Sequence, residues 1–292
     1  MLVGETASAM EPTVSWNPAW PTFRVSEAGA TLALGIAAGA AAFLYPEPGP
    51  RWNGSLPFDE AGRNLLRLSD RSARQSVAHA SDLIYYGLTL YPAVVDAGIV
   101  TLGVHRRPFV ALQMALIDLE TYAFTGAIAL SAEKVGRVRP MARECARDPN
   151  YDYKCNSQER LDQSFLSGHT TVAFSGAGLI CVHHQHLPLY GGGIADPIAC
   201  ATGMLAATAA GVMRIMSDNH YTSDVALGAA VGIAGGYVLP SLLHYGFGSS
   251  ATPSQSLLPS FELGHGSSAI FAAVTPAVTA GYAGLSLVGI SE

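Results

Sequence analysis

The chain has 292 residues, of which 49% are hydrophobic and only 13% are charged, against about 25% charged residues in ordinary soluble domains. Its formal net charge is −6 and it contains only two lysines, which excludes the basic patch of a nucleic-acid-binding protein. The composition favours a helical bundle in a membrane over the alternative, a soluble protein with buried helices.

The first 25 residues form an irregular N-terminal lead-in with Trp16 and Trp20. They lack the basic start and the apolar core of a signal peptide. An apolar segment at about 26–45 follows, ends at Pro46 and is about long enough to cross a bilayer.

Leucines lie among arginines between Phe58 and Val77, which predicts an amphipathic helix on a protein or membrane surface. Apolar segments follow at about 83–103 and 109–132. Acidic residues inside them are costly in lipid, so their side chains are expected to face the bundle interior or water. These residues are Asp96, Asp118 and Glu120.

Three more apolar segments lie at about 167–182, 198–213 and 225–244. The histidines between the first two, His183, His184 and His186, are predicted to lie in an interhelical turn. Cys181 and Cys200 are predicted to be small core residues. Residues 26–245 are thus predicted to form an all-α bundle of about six apolar helices that span a membrane, before a Gly-, Ser- and Pro-rich tail at 246–292.

The stretch from Arg214 to Asp224 carries the clearest chemistry. A helix beginning here would place His220 and Asp224 on one face, because they are four residues apart. The carboxylate would then accept the Nδ1 proton and leave Nε2 of the imidazole free to attack. Arg214 offers a planar, permanently charged group suited to phosphate oxygens.

Two further stretches complement this one. Gly136–Pro140 follows the third apolar segment, and Ser167–His169 opens the fourth. If the chain crosses the membrane back and forth, both stretches and the one around His220 lie on the same side. The sequence therefore predicts one site built from three distant segments.

Together these stretches resemble the signature of the type 2 phosphatidic acid phosphatase (PAP2) and vanadium haloperoxidase superfamily. That signature is a Lys followed after six residues by Arg-Pro, then Pro-Ser-Gly-His, then Arg-x5-His-x3-Asp. The matching residues are Arg139, Pro140, Ser167, Gly168, His169, Arg214, His220 and Asp224. The chain departs from the pattern at Leu166, which replaces Pro, and at Ala132, which stands where the lysine is expected.

Lys134 lies two residues beyond the expected lysine position. On a helix, the residue five positions before Arg139 points about 140° away from it. Lys134 therefore reaches the site only if its helix ends early. Otherwise Lys134 is a solvated residue at a helix end, and Arg137 is the alternative source of the missing charge.

The resemblance implies a phosphatase that acts on a phosphomonoester or pyrophosphate, on a lipid, through a phosphohistidine intermediate. His220 would be the nucleophile, Asp224 would orient it, and His169 would act as acid and then as base. Arg139, Arg214, Ser167, Gly168 and Lys134 would hold the phosphate, with no metal and no other cofactor. The alternatives are a vanadium-dependent haloperoxidase and a non-catalytic membrane protein that binds lipid phosphate.

Cys145 and Cys155 lie in one polar loop beside this site, at a spacing that permits a disulfide or two free thiols. Similar membrane phosphatases present their sites outward, which implies a disulfide and an extracytoplasmic site in a bacterial inner membrane. The arginines of the same loops favour the opposite orientation by the positive-inside rule.

Overall fold

The computed structural model describes residues 13–45, 49–156 and 161–246, and the backbone of 272–279 and 282–289. Helices dominate the first three ranges. They are α1 (Val25–Phe43), α2 (Pro57–Leu66), α3 (Arg71–Tyr91), α4 (Pro108–Glu133), α5 (Ala142–Cys145), α6 (Gly168–His186), α7 (Ala195–Met216) and α8 (Thr222–Ile233). Stretches with π-helical hydrogen bonds extend α3 over Pro92–Val104 and α8 over Ala234–Val238 and Ser241–Tyr245.

The central element is α6, which packs against α3, α4, α7 and α8. Helix α1 lies on the outside against α4. The prediction of an all-α bundle is confirmed, with six long helices in the part of the chain that the structure describes. Four helical stretches are long and apolar enough to cross a membrane, namely Val25–Phe43, Arg71–Val104, Ala195–Met216 and Thr222–Tyr245.

Small residues bring α6 close to its neighbours. A Cβ on Gly176 would lie only 2.2 Å from the carbonyl oxygen of Leu88 in α3. A Cβ on Gly236, beyond α8, would lie 2.2 Å from the carbonyl oxygen of Ser175 in α6. Glycine at both positions therefore allows backbones to touch, as is usual where helices pack in lipid.

Two predicted boundaries are wrong. The amphipathic stretch 58–77 is divided between α2 and α3, because the Asp70 side chain accepts a hydrogen bond from the backbone N–H of Ala73 and starts a new helix. The helix that contains the apolar segment predicted at about 83–103 therefore begins before that segment, at Arg71.

The histidines after residue 182 do not form a turn, because α6 continues to His186 and buries all three of them. Nε2 of His183 lies 3.0 Å from Asp118, and Nδ1 of His184 lies 2.6 Å from Asp196. Each of these two buried carboxylates thus has a histidine partner. Asp118 thus faces the bundle interior, as the cost of an acid in lipid predicts.

Cys181 and Cys200 are joined in a disulfide, so the prediction that both are simple core residues is wrong. The bond links the last turns of α6 to the first turns of α7 across a short connection. At the same end of the bundle, Val14 and Trp20 of the irregular lead-in pack with Tyr245. The lead-in thus covers the end of the bundle that is remote from Asp224.

A separate unit near the C-terminus contains two strands, β1 (Ala272–Thr279) and β2 (Tyr282–Gly289). They pair antiparallel, with Ala272 opposite Gly289 and Thr279 opposite Tyr282. The other residues of the predicted tail, except Gly246, lie outside the described ranges. The predicted division of the chain at residues 25 and 245 stays a prediction.

Candidate active site

His220 lies in the loop that connects α7 to α8. Helix α7 ends at Met216 and α8 begins at Thr222, so His220 precedes the helix, whereas Asp224 lies in its first turn. The expectation that the two residues share a helix face is therefore wrong. The helix begins two residues later than the spacing suggested, because the backbone N–H of Tyr221 donates to the Asp224 carboxylate at 3.0 Å.

The ring of His220 is buried and fixed by the backbone of Ser164. Its Nδ1 lies 2.7 Å from the carbonyl oxygen of Ser164. A carbonyl can only accept a hydrogen bond, so Nδ1 carries the proton and the neutral ring keeps a lone pair on Nε2. Burial lowers the pKa of His220 well below its usual value, and the charges of Arg139 and Arg214 lower it further.

Asp224 acts on His220 through Ser164. One carboxylate oxygen accepts from the Ser164 hydroxyl at 2.6 Å and from the Tyr221 backbone, and the other accepts from Arg137. The predicted direct bond from Asp224 to His220 is wrong, because the Ser164 carbonyl takes its place. Asp224 thus fixes the residue that fixes the histidine.

Arg137 is fully buried between two aromatic rings and two carboxylates. Its guanidinium lies 4.1 Å from the ring centre of Trp52 and 4.4 Å from that of Tyr221. It bonds to Asp59 at 2.6 Å as well as to Asp224. The hypothesis that Arg137 supplies charge to a phosphate is not supported by these contacts, since two buried carboxylates already use that charge.

His169 stands in the first turn of α6 and faces α3. Its Nε2 lies 3.0 Å from the Asp82 carboxylate, and its ring centre lies 4.7 Å from that of Tyr85. The same Asp82 oxygen accepts from Nη1 of the buried Arg214 at 2.8 Å. Asp82 therefore joins the second motif to the third, from a helix that carries no motif.

Asp82 and Tyr85 were missed from the sequence. Their spacing of three residues puts them on one face of α3, and an acid in an apolar segment is itself a sign of function. Position 82 precedes the apolar segment predicted at about 83–103, so that sign appears only once α3 is known to begin at Arg71. Neither residue, however, carries a local pattern that identifies its partner, because His169 is more than 80 residues away in sequence.

Several positive charges act on His169, whose helix is not among the four membrane-spanning candidates. Burial lowers the pKa of His169, and so do the charges of Arg214, Arg139 and Lys154, in that order. Lys154 belongs to the loop that carries Cys145 and Cys155, and the two cysteines form the predicted disulfide. Cationic side chains thus come to this histidine from three separate parts of the chain.

Arg139 reaches the loop that carries His220. Its Nη1 donates to the side-chain oxygen of Asn219 at 3.2 Å. The same loop is held by a two-pronged ion pair from Arg63 of α2 to Asp218, with distances of 2.6 and 2.8 Å. Asp218 has a positive φ of 59°, so this ion pair stabilises a backbone conformation that residues other than glycine rarely adopt.

Ser167 and Gly168 form the beginning of α6, as the sequence predicts. The Ser167 oxygen accepts from the backbone N–H and the hydroxyl of Thr170, which makes Ser167 the N-cap. Gly168 is the first residue of the helix, where backbone N–H groups favour an anion.

Lys134 directly follows α4 as its C-cap residue, because the helix ends at Glu133. The early helix end that Lys134 needs is therefore present. The Glu133 carboxylate lies 3.8 Å from where a Cβ on Gly168 would be, so this helix end borders the start of α6. The contribution of Lys134 to phosphate binding stays a prediction.

The described residues contain one further group of metal-ligand type, at the other end of α8 from Asp224. Ligand atoms of Glu27, Glu120 and His244 lie within 4.8 Å of one another. Nε2 of His244 already lies 2.8 Å from Glu120, and Glu27 is paired with Arg24. These pairings account for the cluster as a buried ion network.

The PAP2 superfamily model matches residues 114–247. Those residues belong to the PAP2 superfamily. All three motifs lie inside the match, from Arg139 to Asp224. A search of curated proteins finds no match to the chain. The match over this segment and the four apolar helices support a membrane protein with a segment of the PAP2 and haloperoxidase type.

Three residues that shape this PAP2 site lie outside the matched range, namely Asp59, Arg63 and Asp82. They come from α2 and α3. The assembled site presents a neutral imidazole, a second histidine beside a carboxylate, and arginines from two motifs. Such a set can hold an oxyanion and offer it both a nucleophile and a proton carrier.

Proposed function

We propose that this protein is a phosphatase that hydrolyses a phosphomonoester or pyrophosphate group on a lipid. The observation that carries the proposal is the state of His220: buried, neutral, and fixed through Nδ1 so that Nε2 keeps its lone pair. A nucleophile needs this protonation state, whereas a binding protein needs only the positive charges. The proposal is therefore for catalysis rather than binding alone.

In the first step, Nε2 of His220 forms a bond to phosphorus as the bond from phosphorus to the leaving oxygen breaks. Arg139 and Arg214 bind the equatorial oxygens, with the Ser167 hydroxyl, the Gly168 N–H and Lys134 as further donors. His169 gives its proton to the leaving oxygen. Asp224 keeps the ring of His220 in place through Ser164.

In the second step, His169 takes a proton from water as the water oxygen attacks phosphorus and the bond to His220 breaks. This sequence requires His169 to be protonated when substrate binds. Burial lowers the pKa of His169 most, and the nearby cations lower it further; a phosphate dianion offsets the charge of those cations, so substrate binding favours the protonated form. Asp82, at 3.0 Å from Nε2, stabilises that form. No step requires a metal.

A lipid substrate is supported by the exterior of the bundle. Four helical stretches are apolar enough to lie in a membrane, and large apolar side chains are exposed along α1 and α7. Examples are Leu32, Ile36 and Leu205. A phosphate headgroup at the end of such a bundle can reach the site while its acyl chains stay in lipid.

The test is to incubate purified protein with a panel of phosphorylated lipids and soluble monoesters, quench the reaction rapidly, and locate the phosphoryl group by mass spectrometry. We expect phosphate release and a modified peptide that contains His220. The His220→Ala variant should lack both, and His169→Ala should form the intermediate slowly. Near-normal turnover by well-folded His220→Ala would contradict the mechanism.

Experiments with vanadate on the same purified protein distinguish a phosphatase from the alternative, a haloperoxidase. Vanadate should inhibit phosphate release competitively, because its five-coordinate form resembles the phosphoryl transition state. Bromide oxidation by peroxide in vanadate-loaded protein that releases no phosphate would instead favour a haloperoxidase.

A further inference from the structure

A cavity of about 540 Å³ opens between the N-terminal lead-in and the beginning of α4. It lies at the opposite end of the bundle from the candidate active site, because α4 runs from this cavity to Glu133, which borders the start of α6. The 26 residues of α4 cover about 39 Å at about 1.5 Å per residue. A ligand group held in this cavity is therefore far from the catalytic histidines.

Two consecutive arginines line the cavity, Arg106 and Arg107. Both are exposed, and neither forms an ion pair within the described part of the chain. Consecutive residues of a helix or strand point in different directions, but Arg106 has a φ of 56°, and the chain turns there. The turn is fixed because the backbone N–H of Arg107 donates to the Thr101 carbonyl oxygen at 3.0 Å. Two positive charges thus stand beside one cavity.

Aromatic rings from the lead-in line the same cavity. The rings of Trp16 and Trp20 pack edge to face with their centres 5.3 Å apart, and Trp20 packs on Tyr245 at 5.1 Å. Trp20 is 5% exposed, and its indole N–H has no acceptor among the residues that the structure describes. A bound polar group is one way to supply that acceptor. Tryptophan and arginine together are typical of the region where a membrane meets water.

The cavity lies where apolar helices end. Val25 begins α1 and Val104 ends the extension of α3, and both helical stretches are long and apolar enough to cross a membrane. From Phe109, which lines the cavity, exposed apolar side chains continue along one face of α4 at Leu112 and Leu119. These three residues form an apolar stripe that leads from the two arginines toward the middle of the bundle.

We propose that this cavity binds the phosphate group of an anionic membrane lipid, whose acyl chains lie along the apolar stripe. The planar guanidinium groups of Arg106 and Arg107 suit phosphate oxygens, and basic pockets beside membrane helices bind anionic head groups. A zwitterionic lipid brings no net charge to offset the two arginines, so the site selects anionic lipids. The bound lipid lies in the leaflet remote from the catalytic histidines, and the inference does not depend on the proposed phosphatase activity.

The experiment measures lipid binding by the full chain in phosphatidylcholine nanodiscs that contain increasing fractions of phosphatidylglycerol with brominated acyl chains. Bromine quenches tryptophan fluorescence at short range, and Trp16 and Trp20 line the cavity. Trp52 packs on Arg137 at the other end of the bundle and contributes the same background to every variant. Phosphatidylglycerol is a phosphodiester, so the proposed reaction does not consume it. Brominated phosphatidylcholine is the matched lipid without net charge.

Three substitutions separate a specific site from a general attraction to anionic surfaces. Arg106→Gly removes one charge and tolerates the positive φ, and Arg107→Gln removes the other. Arg147→Gln is the matched control, because the Arg147 side chain is 76% exposed at the other end of the bundle. The fraction of phosphatidylglycerol needed for half-maximal quenching should rise by about fivefold for each cavity arginine and about 25-fold for both. Arg147→Gln should stay within about twofold of wild type.

Equal quenching of the wild-type protein by the two brominated lipids would overturn the inference, and so would wild-type quenching of the folded double variant. An equal loss in Arg147→Gln would show general attraction to the surface and would also overturn it. Inorganic phosphate, added at constant ionic strength, should not displace the lipid; displacement would assign the arginines to soluble phosphate instead. Selective lipid binding by a protein that releases no phosphate would support the inference and contradict the proposed function.

Discussion

Ser164 holds His220 through its backbone: Nδ1 of the imidazole donates to the Ser164 carbonyl oxygen over 2.7 Å. The side chain of the same serine donates to Asp224. The carboxylate of Asp224 therefore acts on His220, the proposed nucleophile, through Ser164. This relationship decides what a change at Asp224 should do.

Asp224→Asn should reduce phosphate release less than His220→Ala does. The amide oxygen can still accept from Ser164, so the carbonyl that holds His220 stays near its position. We expect about a tenfold fall in kcat, with a lower unfolding temperature because the charge opposite Arg137 is lost. Rates and thermal unfolding measured on the same sample check this. A loss as complete as that of His220→Ala would instead indicate direct contact with the imidazole during the reaction.

Replacing Arg137 by Met should lower stability, whereas replacing Arg139 by Met should weaken anion binding. Arg137→Met leaves Asp59 and Asp224 buried without their cation and should cost about 3–5 kcal/mol of stability. Arg139→Met should fold normally and bind vanadate more weakly. Denaturant unfolding and vanadate inhibition, measured for both variants, separate the two roles. A stable Arg137→Met protein with weak vanadate binding would restore the phosphate-binding hypothesis for that residue.

Asp82→Asn should change binding and catalysis in opposite directions. The carboxylate repels a phosphate dianion and occupies Arg214, so its removal should tighten inhibition by phosphate. It also stabilises the protonated form of His169, so kcat should fall by about tenfold or more. Steady-state kinetics with phosphate as inhibitor give both values. A parallel loss of affinity and kcat would mean that Asp82 mainly supports the fold.

The pH profile should report the lowered pKa of His220. The free protein keeps this ring neutral below pH 6.5, so the acidic limb of kcat/KM that belongs to His220 should lie below that pH. Arg139→Gln removes one cause of the shift and should move the limb upward, with Arg147→Gln as the control. The unfolded chain binds a proton at His220 as pH falls below about 6.5 whereas the folded chain does not, so stability should also decrease there. Identical limbs in the three proteins would contradict this assignment.

The orientation of the site in the membrane is open to a direct test. Cysteines 145 and 155 are bridged in the loop beside His169, and an oxidising compartment is where such bonds persist. The Cys181–Cys200 bond lies towards the opposite end of the bundle, so the two disulfides together favour neither side, and the extracytoplasmic site stays the prediction made from the sequence. In intact cells, an impermeant thiol reagent should label these cysteines after reduction by an impermeant reductant. Labelling that needs permeabilised cells would place the site in the cytoplasm.

The motif residues were predictable because residue types at fixed intervals along the sequence can be recognised without knowledge of the fold. The short-range contacts were less so. The spacing predicts His220 and Asp224 on one helix face. In the structure the helix begins after His220, where the Asp224 carboxylate accepts a hydrogen bond from the backbone N–H of Tyr221. A shift of two residues in a helix boundary was enough to replace a direct contact by one through Ser164.

Long-range partners were beyond the sequence for a different reason. Asp82 and His169 meet because α3 packs against α6, and no local pattern encodes that packing. The two disulfides show the same contrast. Cys145 and Cys155 share one loop at a spacing that permits a bridge, whereas pairing Cys181 with Cys200 depends on the rotation of two helices about their axes.

The ion pairs from α2 to the loop around His220 have a practical consequence for anyone who cuts or grafts this chain. The segment 114–247 carries every signature residue, but Asp59 and Arg63 precede it and neutralise Arg137 and Asp218. A fragment limited to that segment would leave Asp218 without the charge of Arg63, and Arg137 with only one of its two carboxylates, Asp224. The segment that the family model matches is thus shorter than the part of the chain that must be expressed to hold His220 in position.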